Sequence, residues 1–64
     1  MNKKLKLLRN EKNLSQKQVA EQLGITVSAY SNYEQGIREP SYDILIKIAK
    51  LYNVTTDYLL GLED

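Results

Sequence analysis

LSQKQVAEQLGITVSAYSNYEQG, residues Leu14–Gly36, decides the fold because it holds two short helix patterns separated by a single glycine. Ser15 is followed three residues later by Gln18, the arrangement of a capping box at the start of a helix. Gly24 ends the first pattern, and a residue without Cβ adopts positive φ at little cost, which permits a sharp turn. Thr26 can cap the helix that follows. The segment therefore predicts a helix, a tight turn and a second helix.

The second of these helices has an unusual outer face. The pair covers about residues 16–23 and 27–35, and at about 100° per residue Ala29, Tyr30 and Tyr33 lie on one side of the second helix. The opposite side carries only small polar or β-branched residues: Val27, Ser28, Ser31 and Asn32. Such a face can lie closely against the floor of the DNA major groove, and a plain solvent-facing surface is the alternative. The cap, turn and helix spacing that precedes it favours groove contact.

The rest of the chain carries the start and stop signals of three further helices, with no strand alternation, repeat or linker. Asn2 is the predicted N-cap of a first helix, which ends at a left-handed Asn13. Two C-terminal helices are predicted within Ser41–Tyr52 and Thr55–Gly61, each beginning after a hydroxyl cap. The expected fold is all-α, a compact five-helix domain that occupies residues 1–64.

The composition excludes several classes of site and protein. The 64 residues contain no Cys and no His, so neither a disulfide framework nor an ordinary metal site is expected. No carboxylate cluster or glycine-rich phosphate loop supplies a base, nucleophile or cofactor site, so an enzyme is a distant alternative and no cofactor is expected. Lys6 and Arg9 interrupt the N-terminal leucines, which predicts no signal peptide, no membrane span and a cytoplasmic location.

Charge is distributed unevenly along the chain. The net charge is +1, which is low for a nucleic-acid binder. Seven basic and four acidic residues precede Pro40, whereas two basic and four acidic residues follow it. The positive field therefore lies on the half that carries the two-helix signal. In that half we expect Lys17 to contact phosphate, and the remaining lysines to act as a diffuse field: Lys3, Lys4, Lys6 and Lys12.

The apolar residues predict a core and a second surface. Four tyrosines fall on inward helix faces: Tyr33, Tyr42, Tyr52 and Tyr58. This spacing favours core packing over a stacking platform for single-stranded nucleic acid. Tyr30 also lies on an inner side, so its hydroxyl needs a partner or solvent. Further apolar residues concentrate in the C-terminal third, where a dimer interface and ordinary monomer packing carry equal weight: Ile44, Leu51, Leu60 and Leu62.

Together these motifs resemble the phage repressor and Cro-like helix-turn-helix family, often termed the XRE family. The similarity extends from Leu5 to Gly61. Its motifs keep their joint spacing without a gap: Leu8-Arg9, Glu11-Lys12, Leu14-Ser15-Gln16, Val19-Ala20, Leu23-Gly24-Ile25-Thr26, Ser31-Asn32-Tyr33-Glu34, Gly36, Pro40-Ser41, Ile48-Ala49, Val54 and Asp57-Tyr58-Leu59-Leu60. Each motif is weak alone, but the joint spacing is a strong signal.

The resemblance implies a lambda-repressor-like domain that binds an operator in double-stranded DNA as a two-fold homodimer, with the second helix of the pair as the recognition helix. On this resemblance the base-contacting residues are Val27, Ser28 and Asn32. The residues expected at the DNA backbone are Gln16, Lys17, Thr26, Ser31 and Arg38. Arg9 and Glu34 occupy the positions of an ion pair that ties the first helix to the third.

Two residues depart from the family pattern just after the recognition helix. Ile37 stands where a Lys or Arg commonly meets the phosphate backbone, and Glu39 stands where a neutral or basic residue is common. Arg38 alone keeps the charge. Because each lost phosphate contact removes a counterion-release contribution, we expect weak non-specific binding and dependence on a second copy of the chain.

The predicted function is that of a sequence-specific transcriptional regulator, most simply a repressor that occupies a palindromic operator through the major groove. Asn, Val and Ser suit adenine edges and thymine methyl groups, and the reading face has no Arg for guanine, so an A/T-containing half-site core is expected. The alternative is a helix-turn-helix protein-interaction module such as an antitoxin, which the low net charge, Ile37 and Glu39 favour.

Overall fold

The computed structural model describes residues 1–62, and these fold into a bundle of short helices. In chain order the helices are α1 (Asn2–Glu11), α2 (Gln16–Leu23), α3 (Val27–Gln35), α4 (Tyr42–Tyr52) and α5 (Thr56–Leu60). No strand occurs within the described residues. The prediction of an all-α domain of five helices is therefore confirmed.

Hydroxyl side chains fix the starts of four helices, as the sequence predicts. The side-chain oxygens of Ser15, Thr26, Ser41 and Thr55 each accept a hydrogen bond from the backbone N–H three residues later. At Ser15 the arrangement is reciprocal, because the Gln18 side chain accepts from the Ser15 backbone N–H. These contacts satisfy N–H groups that have no partner inside the helix.

The start of α1 differs from the prediction. Met1, not Asn2, is its N-cap residue, and no side chain caps this end. The Met1 carbonyl already accepts from the backbone N–H groups of both Lys4 and Leu5, so the first turn begins one residue earlier. The Asn2 side chain instead lies against Gly36, the C-cap residue of α3. The predicted Asn2 cap is therefore wrong.

The helix ends follow the predicted left-handed residues. Gly24 has φ +73° after α2, and Asn13 has φ +57° in the link between α1 and α2. An Asn tolerates this conformation better than most residues with a Cβ because its short polar side chain can hydrogen-bond locally. Both links are therefore tight, and α2 and α3 pack directly against each other.

All five helices contribute to one buried core. Its members are Leu5, Leu8, Val19, Ala20, Leu23, Tyr30, Leu45, Ile48, Ala49, Tyr52 and Leu59. Helix α1 packs on α3, α2 packs on both α3 and α4, and α4 packs on α5. Helices α2 and α3 are thus supported on one side by α1 and α4, which leaves their opposite side open.

The tyrosine prediction is confirmed at three positions and wrong at one. Tyr52 is buried, and Tyr33 and Tyr58 are half-buried against the core. Tyr42 is 84% exposed, although it lies on the inward stripe of α4. It is the first residue of that helix, and it is not among the residues that pack on the core.

Residues 1–62 contain neither a membrane-spanning helix nor a cluster of metal-binding side chains. No helix there combines the length and apolarity that crossing a membrane requires. No group of three or more His, Cys, Asp or Glu side chains is placed to hold a metal ion in the same residues.

Candidate nucleic-acid interface

The turn between α2 and α3 has a fixed geometry. Gly24 is the left-handed C-cap of α2, and the Ile25 backbone N–H donates to the Ala20 carbonyl at 3.0 Å. The Ile25 side chain packs partly against the core. Thr26 then begins α3 with its side chain accepting from the Ala29 N–H at 3.0 Å. Cap, turn and apolar anchor together set the angle between the two helices.

Helix α3 is buried on one side and open on the other. Tyr30 is fully buried, whereas Val27 and Ser28 are exposed at the start of the helix. Ser31 and Asn32 are half-buried at the edges of the open side. The Ser31 hydroxyl accepts from the Gln35 side-chain amide at 2.7 Å, so its own O–H stays available as a donor. Small side chains on this side let the helix backbone come close to a flat partner.

The remaining predicted site residues lie around this open side. Lys17 and Thr26 are exposed at the starts of α2 and α3, and Arg38 is exposed in the loop after α3. The Arg38 backbone N–H donates to the Asn32 carbonyl at 3.3 Å, which ties this loop to the recognition helix. Gln16 is half-buried, and its side-chain amide donates to the Glu34 carboxylate at 3.1 Å. The structure thus brings Gln16 from α2 onto α3.

Arg9 and Glu34 form a bidentate ion pair behind α3. Arg9 Nε donates to Glu34 Oε2 at 2.6 Å, and Arg9 Nη2 donates to Glu34 Oε1 at 3.2 Å. Arg9 Nη1 also donates to the Leu14 carbonyl at 2.9 Å. The two side chains are 14% and 4% exposed. One guanidinium therefore joins α1, the link before α2, and α3.

The surroundings of this pair keep both groups charged. Burial acts to raise the pKa of Glu34, but hydrogen bonds from Arg9, Gln16 and Tyr30 outweigh it, so the pKa is lowered from the usual 4.5. The hydrogen bond to Glu34 raises the pKa of Arg9 above its usual value, against a smaller opposing effect of burial. At neutral pH the site contains a carboxylate facing a guanidinium.

A second polar contact joins α3 to α4 inside the core. The hydroxyl oxygens of Tyr30 and Tyr52 lie 2.7 Å apart, and either can be the donor. Burial raises the pKa of both hydroxyls, so both stay neutral. The requirement for a partner at Tyr30 is therefore met by Tyr52. Within the described residues, no buried side-chain nitrogen or oxygen is left without a hydrogen bond.

Lys4 makes a structural contact with Tyr58 that the sequence did not predict. Its Nζ donates to the Tyr58 carbonyl at 2.8 Å and lies 4.4 Å from the centre of the Tyr58 ring. The prediction of a merely diffuse charge at Lys4 is therefore wrong. The two residues are 54 positions apart, so no local pattern signals the contact. A cation near the last carbonyls of a helix is favourable, and here it ties α1 to α5.

A small cavity lies beside the C-terminal end of α3. It has a volume of about 140 Å³ and is lined by Met1, Asn2, Tyr33, Gly36, Arg38 and Glu39. Small-molecule sites commonly have volumes of about 300–1,000 Å³, so this cavity does not fit an effector of ordinary size.

Comparison with known proteins agrees with this geometry. A helix-turn-helix family matches the chain over residues 5–59. The chain is 45% identical over 64 residues to the HTH-type transcriptional regulator ImmR of Bacillus subtilis, which covers 100% of this chain and 50% of ImmR. It is 44% identical over 63 residues to the HTH-type transcriptional activator BcrR of Enterococcus faecalis, covering 98% of this chain and 31% of BcrR.

A phage protein is also similar. The cryptic phage CTXphi transcriptional repressor RstR of Vibrio cholerae is 37% identical over 51 residues, which cover 80% of this chain and 46% of RstR. The chain spans about half the length of ImmR and of RstR. No solved structure matches it significantly.

Proposed function

The chain belongs to the helix-turn-helix family, and from that premise we propose that it is a sequence-specific transcriptional regulator that binds double-stranded DNA. One observation carries the proposal. Helix α3 presents a face of small side chains, while Arg9, Glu34 and the Tyr30–Tyr52 contact hold it from behind. A rigid helix with a thin outer face can enter the major groove and approach the base edges.

Base reading is assigned to the N-terminal part of α3. Val27 and Ser28 are exposed there, and Asn32 lies one turn later at the edge of the open side. Asn can pair bidentately with adenine, Val can contact a thymine methyl group, and Ser can bond to either base type. The proposed half-site therefore has an A/T-containing core.

Backbone contacts are assigned to polar residues that surround this face: Gln16, Lys17, Thr26, Ser31 and Arg38. Lys17 at the start of α2 and Arg38 in the loop after α3 are exposed cations, so we assign each of them to a phosphate. The other three are neutral donors, which position the protein without releasing counterions. We also propose a cytoplasmic location, which is where DNA lies in the bacteria that hold these relatives.

The proposed DNA-bound form is a homodimer on a palindromic operator. Of the four residues predicted for the interface, Leu60 and Leu62 are 45% and 74% exposed. Ile44 and Leu51 pack partly against the protein's own core, so they have less surface to offer a partner. Two copies joined through α5 would read half-sites about 34–36 Å apart. Sedimentation at micromolar concentration, with Leu60→Lys as the disrupting variant, tests this interface.

Repression by occupying the operator is the proposed outcome of binding. RstR is named a repressor and BcrR an activator, so relatives of both kinds share this domain. A promoter reporter with a bound DNA site placed either over or upstream of the transcription start point distinguishes the two actions. Loss of reporter output only when the site overlaps the start supports repression.

A protein-interaction module, such as an antitoxin, is the second candidate function. Ile37 is 66% exposed and Glu39 is exposed in the loop next to α3, which is an apolar and acidic surface beside the proposed reading face. Asn32→Ala separates the candidates. Reduced DNA affinity in this variant supports base reading, whereas unchanged DNA affinity with lost partner binding supports the interaction module.

The deciding experiment is a selection of duplexes from a random pool, followed by binding of the selected duplex over a salt series. We expect the affinity to fall as salt rises and to drop by about 1–3 kcal/mol for each mismatched base pair in the site. Affinity that neither falls with salt nor distinguishes sequences contradicts the proposal.

A further inference from the structure

We propose that Glu34 is a positioning residue that aims the Gln16 side chain at a DNA phosphate, an inference that rests on the proposed function. The carrying observation is the hydrogen bond from Gln16 Nε2 to Glu34 Oε1 at 3.1 Å, which joins the first residue of α2 to α3. Glu34 thus serves three partners, because the same carboxylate also accepts two bonds from Arg9 and one from Tyr30.

This contact fixes which end of the Gln16 amide faces inward. A charged carboxylate only accepts hydrogen bonds, so the NH₂ group of Gln16 must point at Glu34. The carboxylate of Glu34 is held in place, because its side chain is 4% exposed and accepts hydrogen bonds from Arg9 Nε and Nη2. One N–H of Gln16 is used by Glu34, and its second N–H stays free to donate.

The second N–H of the Gln16 amide has a defined direction in the DNA-free protein. Gln16 is half-buried, so part of its side chain remains accessible at the edge of the open face. An unheld Gln side chain loses rotamer freedom when it binds, and a side chain already held by Glu34 loses less. The amide is neutral, so its phosphate contact adds affinity without changing the salt dependence. Lys17, the next residue, would change both.

Two double variants separate the effect of the hydrogen-bond acceptor for Gln16 from the effect of the ion pair. R9M/E34M removes the ion pair and the acceptor together, whereas R9M/E34Q removes the same ion pair but keeps a carbonyl acceptor for Gln16. Both avoid a buried unpaired charge, which is the main hazard of changing one partner alone. Each is combined with Q16M to give a cycle, and folding is checked by circular dichroism. The probe is a duplex of about 30 base pairs, long enough for two half-sites one helical turn apart.

We expect R9M/E34M to bind this duplex about tenfold more weakly per half-site than R9M/E34Q, with the same salt slope. Adding Q16M should weaken duplex binding by R9M/E34Q by a similar factor. It should leave the affinity of R9M/E34M unchanged, because Gln16 in that variant has no acceptor at position 34 to hold it. Equal affinities of the two double variants, or equal losses on adding Q16M, overturn the inference. A lost ion pair that merely loosens the fold would affect both double variants alike.

The mobility of the Gln16 side chain can also be measured on the unmodified chain, so this test does not depend on whether a variant folds. Side-chain ¹⁵N relaxation should show the Gln16 NH₂ group as rigid as the backbone of α2, and a freely rotating amide overturns the inference. If the unmodified chain binds no duplex, the proposed function fails and this inference fails with it. If it binds but the cycle is additive, only this inference fails.

Discussion

The hydroxyl oxygens of Tyr30 and Tyr52 lie 2.7 Å apart in the core and join α3 to α4. The two positions are not equivalent, because the Tyr30 hydroxyl also helps to lower the pKa of Glu34. Within residues 1–62, the Tyr52 hydroxyl has no hydrogen-bond partner other than Tyr30. The pair therefore contains one hydroxyl with an alternative partner and one without.

This asymmetry predicts different costs for the two Tyr→Phe variants. Tyr30→Phe leaves the buried Tyr52 hydroxyl unpaired and should lower the free energy of unfolding by about 1–3 kcal/mol. Tyr52→Phe should cost less, because the Tyr30 hydroxyl can still donate to Glu34. Urea denaturation measures both, and the double variant is the control. It should cost less than the sum of the single changes, and strict additivity would contradict direct coupling.

The Arg9–Glu34 pair predicts strong coupling in stability. Arg9→Met or Glu34→Met alone leaves a buried charge without its partner and should cost about 3–5 kcal/mol. Replacing both residues with Met should cost clearly less than either single change. Chemical denaturation of the three variants gives the coupling free energy. A double variant as unstable as the sum of the two single variants would show that the charges act independently.

Acid stability should depend on the same carboxylate. The pKa of Glu34 is lower in the folded protein than its usual 4.5, so the group stabilises the fold above that value. That contribution is lost as the pH falls from about 4.5 through the folded-state pKa. Stability measured between pH 6 and pH 3 should therefore fall more steeply for the unmodified chain than for R9M/E34Q, which keeps the other carboxylates. Parallel curves would assign acid loss to other groups.

Lys4 should stabilise the packing of α5. Lys4→Met removes a hydrogen bond to the Tyr58 carbonyl and a cation–π contact, for a cost of about 1 kcal/mol. Lys3→Met is the matched control, because it removes the same charge from an exposed neighbouring position. Thermal unfolding compares the two variants. An equal change in both would mean that charge number, not the contact with Tyr58, determines the effect.

Local signals in the sequence were enough to predict the positions of the helices and the buried and open faces of α3. Ser15 and Gln18 specify a helix start by bonds to each other, and Gly24 specifies a turn by its own φ. Such interactions extend over a few residues, so a linear pattern contains them. Tyr42 and Lys4 could not be placed in the same way. The exposure of Tyr42 depends on where α4 starts relative to the core, and the contact of Lys4 depends on how the chain ends meet.

The candidate site shows the same division. The sequence placed Gln16 at the start of α2 and Glu34 on α3, but it gave no sign that their side chains meet. That contact depends on the packing of α2 against α3, which the turn at Gly24 and the buried side of α3 set together. A helical wheel reports which side of one helix is inward, and it does not report which residue of a second helix lies opposite.

Ile37 is a 66% exposed apolar residue in the loop that adjoins the proposed reading face. Ile37→Lys should restore a phosphate contact, raise affinity for duplexes of any sequence, and steepen the salt slope by about 0.9 for each bound protomer. Leu7→Lys is the control, because it adds the same charge at a 54% exposed position. On α1, Leu7 lies about 160° around the helix from Arg9, which faces α3. The two variants are compared by binding to one unselected duplex over a salt series. Equal slopes would mean that net charge alone sets the affinity, whereas a steeper slope for Ile37→Lys alone would place this loop at the DNA backbone.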